Sequence, residues 1–457
     1  VDLATIVANA QHMPIDALAA QRQLDRLAPS ESFDPKHLNI DALWAIALAQ
    51  SPALRQARTA ADAARAAADA ARTRPAGNLT LATEYADDRT ATSPWLYGVL
   101  YDLPVEFGAR RASVVARAQL EWQVKQLEYA EAAWQNRVSI RKALIERLTA
   151  EHELDLAGQA SALRNQLLNG MNRRLAEGEG TRVEVERVRL DAARDARRTA
   201  DAAARADTAL ATLAGVIGVT AEGLRDAAFA WPDFLEPGDL PLATLDAQSA
   251  DSMRGRSDIL RAMIAYDDAE FALQAAIAAQ YPGVTLSTGY TWERGLTKLP
   301  FNIGLSLPPM DLNRGAIALA EAQRRGAGDL LEASVAAATN QYQSAGTSYR
   351  SARRALRVVN QQVAAAGDLA ARAGREFEAG AIGSLDRLLV QADLITSRLD
   401  RLAAITQLHF AEAAVEEALR EPLPLALPLA LPLALPLGLP PALPIAAPAR
   451  SPQETHP

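Results

Sequence analysis

The sequence predicts a mainly α-helical chain with a small β part, in two similar halves that each read helix, two strands, long helix, turn, helix. Three observations carry this. Aromatic residues make up only 5% of the 457 residues, and long stretches are rich in Ala, Leu, Arg, Glu and Gln, which favour helices. The stretch from about 109 to 177 contains no proline. Four short segments alternate apolar residues with small or polar ones, the period of a strand.

Composition also excludes several classes of function. The net charge of −8 leaves no large basic face for nucleic acid. The absence of cysteine removes disulfides, thiolate metal sites, cysteine nucleophiles and lipidation at a cysteine of this chain. No apolar run of about 20 residues predicts a transmembrane helix. The histidines, His12, His37, His152, His409 and His456, are scattered without ligand spacing, so no metal site is expected. No phosphate-binding loop, dinucleotide fingerprint, nucleophile elbow or zinc-protease helix is present, so neither catalytic residues nor a cofactor are expected.

The chain is written twice, with an offset of roughly 200 residues. Leu103-Pro104 through Arg110-Arg111 and Ala118-Gln119 recur as Leu307-Pro308 through Arg314 and Ala322-Gln323. Gly178 with Glu184 and Asp191 recurs as Gly380 with Asp386 and Asp393. This divides the chain into an N-terminal arm (1–40), a first repeat (41–217), an irregular linker (218–250), a second repeat (251–420) and a Pro/Leu-rich tail (421–457).

The elements follow in order. Asn39 or Asp41 caps a first helix running to about Thr73, with an alanine stripe at Ala57, Ala60, Ala64, Ala67 and Ala71 that favours close helix approach. The helix from about Ala109 to Glu177 spans roughly 100 Å. Leu120, Val124, Leu127, Trp134, Val138, Ile145 and Leu148 form a coiled-coil seam in it, interrupted at Glu131 and Arg141. Its counterpart runs from about Arg314 to Glu378. Helices of this length must pack side by side. Gly178-Glu179-Gly180 and Gly380-Ala381-Ile382-Gly383 reverse the chain into return helices, about 182–214 and 384–419. Proline at every fourth position forbids a helix in the Leu-Pro-Leu-Ala tail.

The strands form two hairpins, 78–103 and 283–307. Each strand is about 9–10 residues, the length of a tilted transmembrane strand. Tyr85, Trp95, Tyr97, Tyr290, Trp292 and Phe301 are expected to form an aromatic girdle at a membrane surface. Four strands cannot close a barrel, and open edges cannot lie in lipid, so several protomers must contribute hairpins.

With these features the chain resembles the TolC-type outer-membrane efflux family over nearly its whole length. The matching residues are Ser51-Pro52-Ala53-Leu54, Pro75, Leu103 through Arg111, Leu307 through Ile317, and the two turn motifs, Gly178 to Glu184 and Gly380 to Asp386. The resemblance implies a homotrimer with a twelve-stranded β-barrel in outer-membrane lipid and a twelve-helix α-barrel in the periplasm. It implies a periplasmic adaptor (membrane fusion) protein and an inner-membrane pump of the RND type as partners. The stretches 104–111 and 313–317 look closest to the heavy-metal (CzcC-like) branch. The implied setting is the outer membrane, with a signal peptide removed. By motif match, Asp386 takes the place of the acid that narrows the pore. Relatives often carry a second acid three residues on, where this chain has Leu389.

Each assignment has a plainer alternative. Asp386 lies in the first turn of a helix, where an acid is favoured anyway. Gly178, Glu184, Gly380 and Ser384, the candidate adaptor contacts, also suit simple helix reversal. Arg110 and Arg314 either pair with acids at the strand–helix junction or are solvated. The exit duct of a type I protein-secretion system shares the whole architecture. A periplasmic coiled-coil scaffold without a pore explains the helices but not the paired strands.

Overall fold

The computed structural model describes residues 2–5, 13–85, 93–105, 109–293, 295–307 and 309–422. The tail from 423 onward, Pro308, Glu106–Gly108 and the side chain of Arg110 lie outside the described residues.

The arm carries α1 (Ala17–Leu27) and a two-residue strand β1 (His37–Leu38). Asp16 caps α1 by accepting from the Ala19 N–H. The Gln50 side chain then pins the arm, accepting from Asp16 N at 3.0 Å and donating to the Pro14 carbonyl at 2.9 Å.

The expected first helix is two helices, α2 (Ile40–Gln50) and α3 (Pro52–Ala71). Pro52 lacks an N–H and drives Ser51 out of helical geometry, to φ −59°, ψ 122°. Of the two expected caps, Asn39 serves, accepting from Ala42 N at 2.8 Å. Asp41 is instead buried. The alanine stripe is also displaced. The buried seam of α3 is Leu54, Ala61 and Ala68, while Ala60 and Ala67 are exposed. In so alanine-rich a helix several stripes fit the spacing, and the one large apolar residue, Leu54, selects the face that packs.

After β2 (Asn78–Tyr85) and β3 (Trp95–Val105), α4 runs from Ala109 to Ala176 and α5 returns from Arg182 to Ile217. The second half repeats this with α7 (Ser257–Ala278), β5 (Gly283–Glu293), α8 (Arg314–Glu378) and α9 (Ser384–Leu419). Between β5 and α8 lie β6 (Leu296–Lys298) and β7 (Phe301–Ser306). Both pair with β5 in one continuous register, Glu293 with Leu296 through Gly283 with Ser306, so they are one strand interrupted at Leu299-Pro300.

The linker is more ordered than its prolines suggest. A 3₁₀ turn (Ala221–Leu224) leads to β4 (Ala228–Phe229), which pairs in parallel with β1. Helix α6 (Leu242–Arg254) then crosses the expected boundary at 250.

α4 is the hub, packing on α3, α5, α7 and α9, and α9 packs on α8. Of the predicted seam, Leu127, Trp134, Val138, Ile145 and Leu148 are buried, while Leu120 and Val124 are half-buried. The main apolar core gathers where α2 enters the bundle. It joins Leu43, Ile46, Leu144, Leu213, Ile217 and Phe234 from α2, α4, α5 and the linker. Every residue of α2 from Ile40 to Ala47 is buried, as its almost wholly apolar sequence requires.

Candidate functional site

Three regions bear on function: the sheet, the two helix-hairpin tips, and a buried ionic cluster where the halves meet.

The strands form a single open sheet in the order β2, β3, β5, then β6 and β7. Alternation along each strand and the register between strands place the apolar sets on one face. Leu81 faces Val99, which faces Tyr290; Leu103 faces Leu286, which faces Ile303. Most of this face is exposed, with Leu81 at 72% and Ile303 at 61%, while Val284, Leu286 and Trp292 in the middle strand are half-buried. The other face carries Thr80, Ala82, Gly98, Asp102, Ser287 and Thr291, with Leu96 and Leu100 as the apolar exceptions. On that face Ser287 donates to Asp102. Gly289 is required, because a Cβ there would run into the Val99 carbonyl oxygen.

The aromatics expected to ring the sheet divide into two levels. Tyr85 meets Trp95 edge-on at 5.0 Å, Trp95 stacks with Tyr97 at 6.0 Å, and Tyr97 stacks with Trp292 at 6.0 Å. Tyr290 lies one row below, opposite Val99. Phe301 does not join them. It pairs with Thr288, which pairs with Tyr101, six residues or about 20 Å along the strand from Trp95. The sequence suggested that Phe301 ends its strand, but the register continues beyond it to Leu296.

Arg314 is exposed and forms no ion pair among the described contacts. The junction ion pairs lie further along the helices. Arg117 grips Asp268 at 2.7 and 3.0 Å, and Arg324 reaches Glu270 at 2.8 Å. The bond to Asp268 raises the Arg117 guanidinium's affinity for its proton. Arg111 donates to the carbonyls of Ala71 and Thr73, both at 2.6 Å, and so closes the end of α3.

The two tips repeat the same backbone turn. Gly178 and Gly380 take left-handed φ of 80° and 72°. At each, the glycine N–H and the one after it turn back onto the helix: Gly178 to Leu175 O and Glu179 to Arg174 O, Gly380 to Phe377 O and Ala381 to Glu376 O. The return helices then each carry an acid at the third position. Glu184 accepts from Thr181 N at 2.9 Å, while its own N–H donates to the Thr181 hydroxyl. Asp386 accepts from Gly383 N at 3.2 Å. The backbone bond from Thr181, followed by its hydroxyl, holds the Glu184 carboxyl below its ordinary range. Arg387 lies over the Phe377 ring at 4.3 Å. Leu385 leans on Gly170 of α4, so that a Cβ on Gly170 would stand 2.6 Å from it. Asp386 and Ser384 are exposed.

Sequence reasoning missed the third region. Arg137 and Arg141 of α4 are buried together with Asp41 of α2 and Glu412, Glu416 and His409 of α9. Arg137 donates to Asp41 at 2.7 Å and to Glu416 at 3.3 Å. Arg141 pairs with Glu416 and lies 3.6 Å from Glu412. Their guanidiniums cover Trp44 at 4.9 Å and Trp231 at 5.4 Å. The signal was the interrupted seam. Arg141 is one interruption, and the other, Glu131, accepts from Arg420 and Ser257. Among the described residues no group of His, Asp or Glu is placed to hold a metal ion, and no helix is long and apolar enough to cross a membrane.

The family model of the outer membrane efflux proteins matches residues 43–219 and 251–419, well over half of the chain and both repeats. The chain belongs to the outer membrane efflux protein family. The efflux protein's fold agrees with solved membrane proteins. A membrane protein from Pseudomonas aeruginosa is 18% identical, with 87% of this chain and 95% of that chain covered and a TM-score of 0.70. The outer membrane protein VceC from Vibrio cholerae is 18% identical, with 83% and 95% covered and a TM-score of 0.68. The open state of the Neisseria gonorrhoeae MtrE outer membrane channel is 20% identical, with 85% and 89% covered and a TM-score of 0.65. At these identities the likeness is one of fold. No curated protein matches the chain in sequence. The family is one of ducts, and the efflux protein's mainly helical, duplicated protomer with its small sheet has the TolC-like form.

Proposed function

We propose that the efflux protein is the outer-membrane component of a tripartite efflux system, a passive exit duct for substrates handed on by a periplasmic adaptor and an inner-membrane pump of the RND type. The observation that carries this reading is the open sheet with one continuous, largely exposed apolar face. β3 spans eleven residues, roughly 33 Å of chain, which at a tilt of about 40° covers the ~25 Å apolar band of an outer-membrane barrel. The free edges of β2 and β7 then pair with neighbouring copies, because lipid offers backbone groups no partner. Three copies give twelve strands. The aromatics Tyr85, Trp95, Tyr97 and Trp292 lie at the outer membrane surface, and Phe301 with Tyr101 lies deeper in the band.

In this reading the tips at Gly178–Glu184 and Gly380–Ser384 face the adaptor, and three copies of Asp386 line the periplasmic entrance. The carboxylate keeps its bond to Gly383 N, so capping and gating are compatible roles for one side chain. Carboxylates at a constriction attract cations. Together with the likeness of residues 104–111 and 313–317 to the heavy-metal branch, this makes heavy-metal cations the cargo we assign.

Planar-bilayer conductance of the detergent-purified protein, with its mass measured alongside, tests the duct. Discrete channels from a three-chain species are expected. A single-chain species that never enters the bilayer would overturn the reading.

A further inference from the structure

The linker between the halves is fastened at one buried histidine. His409 of α9 is 1% exposed. Its Nδ1 lies 2.9 Å from the Glu412 carboxylate and its Nε2 2.8 Å from the carbonyl oxygen of Phe234. A carbonyl oxygen only accepts hydrogen bonds, and so does an ionised carboxylate. A neutral imidazole has a single N–H, so only the imidazolium satisfies both neighbours.

The surrounding charges agree. α2 contributes Asp41, α9 contributes Glu412 and Glu416, and α4 contributes Arg137 and Arg141. Three buried carboxylates against two guanidiniums leave one negative charge over, and a protonated His409 balances it. From α8, Tyr349 faces the same group: burial first, and the Glu412 charge among the lesser causes, push its phenol up. The linker's own side offers rings. Phe234 stacks on His409 at 4.8 Å, Trp231 lies 4.8 Å away, and His152 of α4 stacks on Phe234 at 5.8 Å.

We propose that His409 is a proton-operated clasp that holds the linker segment around Trp231–Leu240 to α9. Protonated, it donates to both Phe234 and Glu412. When its proton leaves to bulk water, the single N–H that remains stays with the carboxylate, the stronger acceptor, so the bond to Phe234 is lost, a ring lone pair faces that carbonyl oxygen, and the buried cluster keeps an unbalanced negative charge. The clasp is therefore closed at low pH and opens as pH rises. The segment keeps other ties: Arg401 to Leu235 O and Glu236, Arg353 to Pro237 O and Asp239, and Leu240 N to the Tyr349 hydroxyl. The segment loosens but stays in place. The clasp stands independently of the duct reading.

Hydrogen exchange of the full chain in detergent, at about pH 5.5, 7 and 8.5 and corrected for intrinsic rates, reads the clasp directly. Peptides covering 229–241 should lose roughly tenfold in protection as pH rises, the scale of one hydrogen bond to a charged group, while Ile140–Ile145 of α4 stays protected. His409→Leu, which has no donor for Phe234, should show low protection with no pH step. Glu412→Gln should move the step to lower pH. A flat profile in the unaltered protein would overturn the clasp, as would a step unmoved by Glu412→Gln or shared with His409→Leu. Channel conductance is unaffected by any of these outcomes, so failure here leaves the duct standing.

Discussion

Arg137 of α4 donates to Asp41 of α2 at 2.7 Å, and both groups are almost wholly out of water. The same guanidinium reaches Glu416 of α9, so one side chain ties three elements from opposite ends of the sequence. Removing it leaves two buried carboxylates short of a partner. Arg137→Met should cost about 3–5 kcal/mol, read as a lowered thermal midpoint of the detergent-solubilised protein. Asp41→Asn in the same background should recover part of the loss. Equal stability of Arg137→Met and the unaltered protein would show that the cluster is not holding α2 in place.

The two faces of the sheet should respond oppositely to charge. Val99→Lys, in the middle of the apolar face, should cost about 2–4 kcal/mol of membrane stability and reduce the yield of inserted protein. Thr285→Lys, on the polar face, should insert normally. Equal insertion of the two variants would show that the exposed apolar face does not meet lipid.

Gly289→Ala tests the pairing of the two hairpins. The added methyl would collide with the Val99 carbonyl oxygen of the neighbouring strand, where backbone and not a flexible side chain must give way. Heat-induced dissociation should occur at a lower temperature than for Gly304→Ala, whose added methyl meets only ordinary contacts, the nearest at 3.6 Å.

The first tip should loosen in acid. The Glu184 carboxyl titrates below its ordinary value of 4.5 because the Thr181 N–H binds its charged form. A depressed acid contributes stability above its unfolded value and loses it as pH falls through the folded one. Proteolysis between residues 178 and 184 should therefore accelerate below about pH 4.5, and Glu184→Gln should be cut faster at neutral pH with little further change in acid. An identical pH profile in both proteins would remove the role assigned to this carboxylate.

Asp386→Asn keeps the size of the side chain and removes its charge. Single-channel recordings should show weaker preference for cations and weaker block by divalent cations. Unchanged conductance and cation sensitivity would leave Asp386 as a helix-start residue only.

The sequence was most informative where structure is local. The bounds of α8 coincide with the stretch from Arg314 to Glu378, because the reversing glycine and the long proline-free run both act over a few residues. Period-two alternation placed Leu81, Val99 and Tyr290 on one face, and the register confirms it. Non-local features were hidden. β1 and β4 are two residues each and lie far apart in sequence, so neither shows alternation. Helix α6 was obscured by Pro232, Pro237 and Pro241, although only the last of these borders it. The ionic cluster joins Arg137 to residues on either side, 96 and 279 positions away, and from sequence Arg141 reads only as a flaw in a seam. At the tip, Asp386 was placed correctly in its turn, but spacing alone does not say whether an acid serves its own helix or a neighbour.

Pro300 interrupts the last strand, yet its position leaves the outer rim whole. Its carbonyl accepts from Gly289 N, so the side of Pro300 that lacks an N–H points inward, toward β5. In an antiparallel ladder successive residues point to opposite sides, and the groups at Phe301, Ile303 and Leu305 therefore point away from β5. An incoming strand meets an unbroken series of donors and acceptors there, and the seam between copies can zip along its full height past a residue that ordinarily stops pairing.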